Sequence, residues 1–199
     1  MGQALIRGIV KSGTVLPDRI FVYDINREQI DLLKKDIGVT PLDSGSEVVR
    51  SCDIIVIAVK PNVVEKVLEE CKEAVDSKKV IVSIAVGVPI SLFKRVLGDD
   101  KKVIRTMPNT PALVGEGITL ISHDGSIGNE DLETVRTLFN CVGKTEMLDE
   151  KLMCEVTALT SSSPAYVFMF IEAMADAAVL SGLSRSLSYK LAAQAVLGS

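Results

Sequence analysis

Ile54-Ile-Val-Ile-Ala-Val59 is an unbroken apolar run, β-branched at every position but Ala58. β-Branched residues favour extended backbone, and an apolar run without polar alternation suits a strand covered on both faces. Such a strand belongs in the middle of a parallel sheet, which confines the chain to α/β architectures. Lys60-Pro61 follow at the carboxyl end of the run. Proline suits the first turn of a helix, where its missing N–H costs nothing, so a helix is expected from Pro61 to about Val75. In an open α/β sheet the carboxyl ends of the strands form the ligand-binding edge.

The rest of the chain falls into place around this strand. Residues 2–12 carry a helical pattern with Ala4, Leu5, Gly8 and Ile9 turned inward, and Gly13 stops it. Ile20–Asp24 reads as a short strand ending in an acid, followed by a helix over Glu28–Lys35. Gly38-Val39-Thr40 reads as an edge strand, and Ser46 as the cap of a helix over Glu47–Ser51. Val80–Ile84 and Val103–Met107 are further buried strands flanking a helix that ends at Leu97. Gly117–Ile121 and Gly143–Met147 read as later strands around a helix over Asn129–Asn140. This β-α alternation with short loops predicts a Rossmann-type, doubly wound, mostly parallel sheet. After Leu148 only helical pattern remains, broken at Ser161-Ser-Ser-Pro164 and near Gly182. The expected organisation is therefore a dinucleotide-binding domain over 1–148 and an all-α domain over 149–199.

Composition narrows the function. A net charge of −4 and a pI near 5.1 give no electrostatic footprint for nucleic acid. No uninterrupted apolar run reaches the ~18 residues of a membrane span, and no secretory signal is visible, so neither a membrane nor export is expected. Cys52, Cys71, Cys141 and Cys154 have no CxxC spacing and lie within apolar patterns, which reads as buried, reduced thiols of a cytoplasmic protein. No metal cluster, catalytic triad or paired carboxylates stand out, so no metal and no catalytic acid or base is assigned. The segment 164–180 is apolar nearly all round; such a helix must be buried on every side, which predicts a homodimer or higher homo-oligomer built through 151–199.

A dinucleotide fold normally opens with a strand and G-x-G-x-x-G before its first helix. Here the sequence begins at the helix, with Gly2, and Asp24 lies 22 residues further on at the end of the next strand. That is close to the ~20 expected for the acid that holds a ribose hydroxyl. The expectation is that a first strand with two more glycines belongs ahead of Met1, between the strands at 20–24 and 54–59. The end at Leu197-Gly-Ser199 likewise reads as mid-helix.

Four motifs occur in order: Gly2-Gln-Ala-Leu-Ile-Arg-Gly8; Ala58-Val-Lys-Pro61; Arg105-Thr-Met-Pro-Asn-Thr-Pro-Ala112 with Gly115-Glu-Gly117; and Ser163-Pro-Ala-Tyr-Val-Phe168 with Glu172–Ala177. Together they resemble pyrroline-5-carboxylate reductase, which makes proline by reducing a cyclic imine with NADPH or NADH. Against that family, the sequence has neither the G-x-G strand nor the C-terminal S-P-G-G-T-T segment, and it reads Thr160-Ser-Ser-Ser-Pro where S-G-S-G-P is usual.

The resemblance assigns cofactor binding to Gly2, Gln3, Asp24, Asn26, Arg27, Ala58, Val59, Lys60, Pro61, Ala85, Met107 and Asn109, and substrate binding to Ser162, Ser163 and Pro164. The chemistry of these residues allows it. A helix start at Gly2-Gln3 favours a pyrophosphate. Asp24 suits a ribose diol, while Asn26 and Arg27 suit a 2′-phosphate, leaving NADPH or NADH open. Asn109 both donates and accepts, as a nicotinamide carboxamide requires. Ser162 and Ser163 before Pro164 read as an N-cap with proline at N1, a helix start that can hold a small carboxylate. Each residue also has a plain structural reading: strand end, solvated helix start, Asx turn or simple cap. Two other functions fit the same fold, an inactive dinucleotide-binding or dimerisation fragment and a 6-phosphogluconate- or hydroxyacid-dehydrogenase relative. The latter needs an acid–base Lys at the start of the helical domain, and none stands at 164–168.

Overall fold

The computed structural model describes residues 1–199 and divides into two compact units, Met1–Cys154 and Glu155–Ser199. In the first unit, β3 (Ile54–Ile57), β4 (Val80–Ser83) and β5 (Lys102–Pro108) run parallel, with Val56 opposite Val82 and Val82 opposite Ile104. β6 (Gly117–His123) returns antiparallel to β5, and β7 (Gly143–Met147) runs parallel to β6. β1 (Phe21–Val22) and β2 (Thr40–Pro41) form a separate parallel pair that no ladder joins to the larger sheet.

Alternation along the strands sorts the core into two layers. Ile55, Ile57, Ile81 and Val103 face one way, against Val49 of α3 (Gly45–Ser51), Val64 and Leu68 of α4 (Val64–Cys71) and Phe93 of α5 (Ile90–Leu97). Val80, Val82, Ile104 and Ile121 face the other way, against Leu5 and Ile9 of α1 (Gly2–Ser12) and Val135 and Phe139 of α6 (Asn129–Asn140). Helices on both faces of a mostly parallel sheet make the doubly wound arrangement. A smaller cluster, Val22, Val39, Ile30 and Leu33, seats α2 (Arg27–Ile37) on the β1–β2 pair.

Two glycines make this packing possible. A Cβ on Gly8 would stand 2.2 Å from Val142 Cγ1, so α1 can lie against the end of α6 only without a side chain there. Gly143 opens β7 at φ +147°, and a Cβ on it would fall 1.9 Å from the carbonyl oxygen of Gly117, its ladder partner.

Several local expectations shift. Ser44, rather than Ser46, caps α3 by accepting from the N–H of Glu47 at 3.2 Å, while Ser46 Oγ donates to the carbonyl of Glu70 at 2.9 Å. Gly38 closes α2 in the left-handed conformation at φ 77°, which moves the edge strand to Thr40–Pro41. Pro61–Val63 is a 3₁₀ turn, and α4 proper begins at Val64. Only Cys71 of the four cysteines is buried; Cys52 and Cys141 are half-buried and Cys154 is exposed, because each lies at the margin of its apolar pattern.

In the second unit α7 (Ser163–Leu180) packs against α8 (Arg185–Leu197), the turn between them closed by Gly182 and α8 capped by Ser184. Arg185 pairs with Asp176 across the turn. Helical backbone starts earlier than α7, as a π-wound stretch over Ala158–Ser162. The expected break at 161–164 is therefore a change of winding. Together, Ala158–Leu180 makes a 23-residue helical stretch with mean hydropathy 1.4, long and apolar enough by length and composition to cross a membrane. Counting uninterrupted apolar residues misses it, because Ser161–Pro164, Glu172 and Asp176 interrupt the run. Of α7 only Ala175 is buried; Tyr166, Phe168, Met169 and Phe170 are exposed.

Candidate active site

Of the expected cofactor residues of the first unit, Asp24, Asn26 and Arg27 follow β1 of the smaller sheet, and those from Ala58 to Asn109 follow or end strands of the larger one. Val59–Pro61 follow β3, Ala85 follows β4, and Met107 and Asn109 end β5, all at the carboxyl ends of parallel strands. The start of α1 comes to the same edge: a Cβ on Gly2 would lie 3.1 Å from the Cβ of Ala58. The first turn of α1 carries no acidic residue and no side-chain cap, so its positive end is electrostatically open to an anion. Gln3 Nε2 donates to Gln29 Oε1 at 2.6 Å, bringing the start of α2 alongside. Leu5 and Ile9 share a core cluster with Ala112, which fixes α1 against the turn that follows Asn109. Thus the segments at 2–3, 24–29, 58–61 and 107–112 converge, although they are far apart in sequence.

Several side chains already have partners. Asn26 caps α2, its Oδ1 accepting from the N–H of Gln29 at 3.3 Å, and its own N–H donates to Asp24 Oδ1 at 2.8 Å. Arg27 lies 5.8 Å over the Tyr23 ring and reaches Asp43 at 3.5 Å and the carbonyl of Leu42 at 3.4 Å. Both contacts are loose and exposed, and an ion pair of that kind yields readily to a stronger anion. Asn109 Oδ1 accepts from the N–H of Ile118 at 2.9 Å, which pins the end of β5 to β6. Asp24 and Asn26 thus have structural roles at the start of α2, and Asn109 has one at the end of β5. Met107, Asn109 and Ala85 are buried, whereas Ala58, Lys60 and Pro61 are exposed at the rim.

The expected substrate segment differs from its sequence reading. Ser162 and Ser163 do not cap a helix start: neither makes a side-chain cap bond, and Ser162 itself has helical backbone angles. The helix runs straight through from the π-wound stretch, because Pro164 lacks the amide that would close an α-helical bond to Thr160. An anion at Ser162–Pro164 therefore finds side-chain hydroxyls instead of free first-turn amides. Ser161 Oγ is buried there without a hydrogen-bond partner.

An open groove of about 550 Å³ lies elsewhere, lined by Ile90, Ser122, His123, Asp124, Met147 and Glu150. His123 pairs with Ile104, so this open groove lies toward the amino end of β5, away from Asn109. His123 Nδ1 accepts from the N–H of Gly125 at 3.0 Å and only shapes a turn. Beside it the Asp124 carboxyl, though pushed up by partial burial, is held down at about 2 by hydrogen bonds from Lys94 and Ser126.

A family model described as pyrroline-5-carboxylate reductase dimerisation matches residues 150–199, and one described as NADP oxidoreductase, coenzyme F420-dependent, matches 1–87. The pyrroline-5-carboxylate reductase of Escherichia coli (strain K12) is 45% identical over 199 residues, covering 100% of this chain and 74% of the relative. The chain belongs to the pyrroline-5-carboxylate reductase family. Among solved structures, the Plasmodium falciparum reductase with NADP bound is 36% identical with a TM-score of 0.89, over 100% of this chain and 72% of that one. The Coxiella burnetii reductase is 29% identical with a TM-score of 0.93, over 99% and 73%. Neither alternative function is favoured by these reductase matches. Arg105 and Glu150 form an ion pair at 3.0 Å that the sequence does not signal, since 45 residues separate them and no local spacing marks the contact.

Proposed function

We propose that this protein reduces 1-pyrroline-5-carboxylate to L-proline as a homo-oligomeric, NAD(P)H-dependent enzyme of proline synthesis, and that the strand-end site described above binds the cofactor. The observation that carries the site assignment is the convergence of Gly2 and Ala58 at the carboxyl edge of the sheet. Only a residue without a side chain at position 2 lets a dinucleotide's phosphates approach the α1 amides beside β3. When bound, a reduced nicotinamide supplies the hydride that adds to the imine carbon, while a proton from solvent adds to the nitrogen.

The residues of this chain supply positioning. Gly2 and Gln3 hold the pyrophosphate; Asp24 accepts from the ribose, and Asn26 and Arg27 meet a 2′-phosphate. Ala58–Pro61 and Ala85 form the rim, and Met107 and Asn109 fix the nicotinamide ring and its carboxamide. Ser162, Ser163 and Pro164 orient the substrate carboxylate. Imine reduction at neutral pH asks mainly for orientation and exclusion of water, worth several orders of magnitude in rate without an acid–base pair. NADPH is the preferred cofactor on this reading, since Arg27 is held only loosely by Asp43. A cytoplasmic location fits four free cysteines without a disulfide. Cys52 and Cys71 add to this, burial pushing both thiols above their ordinary range.

The test is oxidation of NADPH or NADH by the purified enzyme, from its complete coding sequence, in the presence of pyrroline-5-carboxylate. Proline formation dependent on both reactants is expected. Cofactor oxidation without proline, or no reaction with either cofactor, overturns the reading.

A further inference from the structure

Asp is followed by Gly once in this chain, at Asp124-Gly125, and Asn never precedes Gly. In such a pair the glycine amide nitrogen can attack the carboxyl carbon of the Asp side chain, because no side chain on the glycine shields it. A C–N bond forms, a carboxyl C–O bond breaks, and the oxygen leaves as water with the amide proton. Water then opens the cyclic imide. Opening at the main-chain carbonyl leaves isoaspartate, with the chain running through the β-carbon.

The turn leaves this reaction open in space and closes it by hydrogen bonds. Asp124 and Gly125 are exposed, so water reaches both, and a Cβ built on Gly125, at φ +87°, would meet nothing within 4 Å. The attacking amide is nevertheless engaged, since Gly125 N–H donates to His123 Nδ1 at 3.0 Å. The carboxylate under attack is held at both oxygens. Oδ2 accepts from Lys94 Nζ at 2.8 Å, and Oδ1 accepts from the N–H and Oγ of Ser126 at 3.0 and 2.5 Å. Swinging the carboxyl carbon onto the Gly125 nitrogen means turning it away from all three donors. Lys94 cannot follow, because its Nζ also donates to the carbonyls of Asp99 at 2.9 Å and Lys101 at 2.6 Å. Though partial burial pushes the Asp124 carboxyl up, its hydrogen bonds hold it at about 2. It is therefore ionised at neutral pH, and an ionised carboxylate is a poor electrophile.

We infer that Asp124-Gly125 is the isoaspartate-forming site of this chain, kept latent in the folded protein by His123, Lys94 and Ser126. His123, which stands away from the cofactor edge, acts here through the turn it shapes. Isomerisation adds a methylene to the backbone and draws the carboxylate off Lys94, leaving a buried ammonium without its anion and untying α5 from the end of β6.

The experiment follows isoaspartate at residue 124 in the purified enzyme, from its complete coding sequence, aged at neutral pH. Digestion, chromatography and electron-transfer fragmentation locate the product, and methyl transfer by an isoaspartyl methyltransferase counts it. The folded protein should react at least about tenfold more slowly than the same chain in concentrated urea, where the bonds to Gly125 and Asp124 are absent. His123→Leu removes the acceptor and should accelerate the folded protein about two- to tenfold, the scale of one hydrogen bond. His123→Asn should keep the wild-type rate, since an Asn side chain accepts from the N–H two residues on. Asp124→Glu should abolish the product, because the longer side chain closes a larger, slower-forming ring. Phe139→Ala, a core change in α6, should leave the rate at residue 124 unchanged below its melting temperature, which separates loss of these bonds from general loosening. If His123→Leu does not fold, Ser126→Ala, which takes one bond from the carboxylate, must accelerate the same peptide. A folded wild type that isomerises as fast as the chain in urea would overturn the inference. So would an unchanged rate in both His123→Leu and Ser126→Ala, or equal acceleration by His123→Leu and Phe139→Ala.

Discussion

In the first unit every long helix carries an apolar stripe that the sheet covers: Leu68 of α4, Phe93 of α5 and Phe139 of α6 are all essentially inaccessible. In the second unit the aromatic residues of α7 point outward, with Phe168 66% and Phe170 60% exposed, and α8 leaves Leu191 and Leu197 in the open. The helices of the two units differ less in how apolar they are than in how their apolar residues are arranged. A stripe can be satisfied by one neighbour within the chain, whereas a helix apolar all round needs neighbours on several sides. Two helices cannot supply them. The helices of the first unit are therefore covered within the chain, whereas those of the second leave apolar surface that a further copy of the chain would cover.

The largest expected effect comes from breaking the second unit's surface. Phe168→Glu with Phe170→Glu removes two exposed aromatics that cost the single chain almost nothing. As interface anchors they are worth about 2 kcal/mol or more each, so the dimer dissociation constant should rise at least about a thousandfold. Light scattering across a dilution series reads this directly; an unchanged mass at every concentration would mean that α7 is not in the interface. Within the first unit, Phe139→Ala should instead lower the unfolding free energy by about 3–5 kcal/mol and leave the association state alone. Chemical denaturation followed at constant protein concentration separates the two outcomes.

Smaller changes sharpen the contrast. Gly8→Val forces a side chain into Val142 and should cost about 1–3 kcal/mol in the same denaturation assay, with no effect on mass. Arg27→Ala should weaken NADPH about tenfold and NADH hardly at all, the loss of one charge-assisted contact. Fluorescence titration measures it, and Asp24→Ser should show the opposite preference. The smallest effect is acid sensitivity at the Lys94–Asp124 pair. Asp124 titrates at about 2 when folded, against an ordinary 3.8. Its contribution is therefore fully present above pH ~4 and lost as pH falls toward 2. Asp124→Asn should flatten the stability profile over that interval, and only for the first unit's transition.

Much of the first unit was legible because its signals are local. The run at Ile54–Val59, the alternation of strands and helices, and Gly13 at the end of α1 all arise from neighbours in sequence. Asp24 and Asn109 were readable as polar residues at strand ends, and the structure has each just beyond a strand, β1 and β5 respectively. What could not be read depends on distant partners. Ser44 and Ser46 are equally good caps by composition, and only the carbonyl of Glu70 decides that Ser46 is used elsewhere. Glu150 looks like any surface acid until β5 delivers Arg105 to it. Ser162 and Ser163 looked like a helix start because proline at N1 is so common there, yet the backbone can also absorb a proline by widening a turn.

That widened turn makes length matter more than identity between residues 158 and 162. A π-wound turn holds about one residue more than the α-helix around it. Removing a single residue there would let the ladder close in ordinary α-register and swing everything upstream round by about 100° relative to Pro164. The backbone winding itself should tolerate a change of side chain at Ala158 or Leu159, whereas a one-residue deletion acts as a rotation. The spacing between Cys154 and Pro164 thus behaves as a setting with only discrete positions.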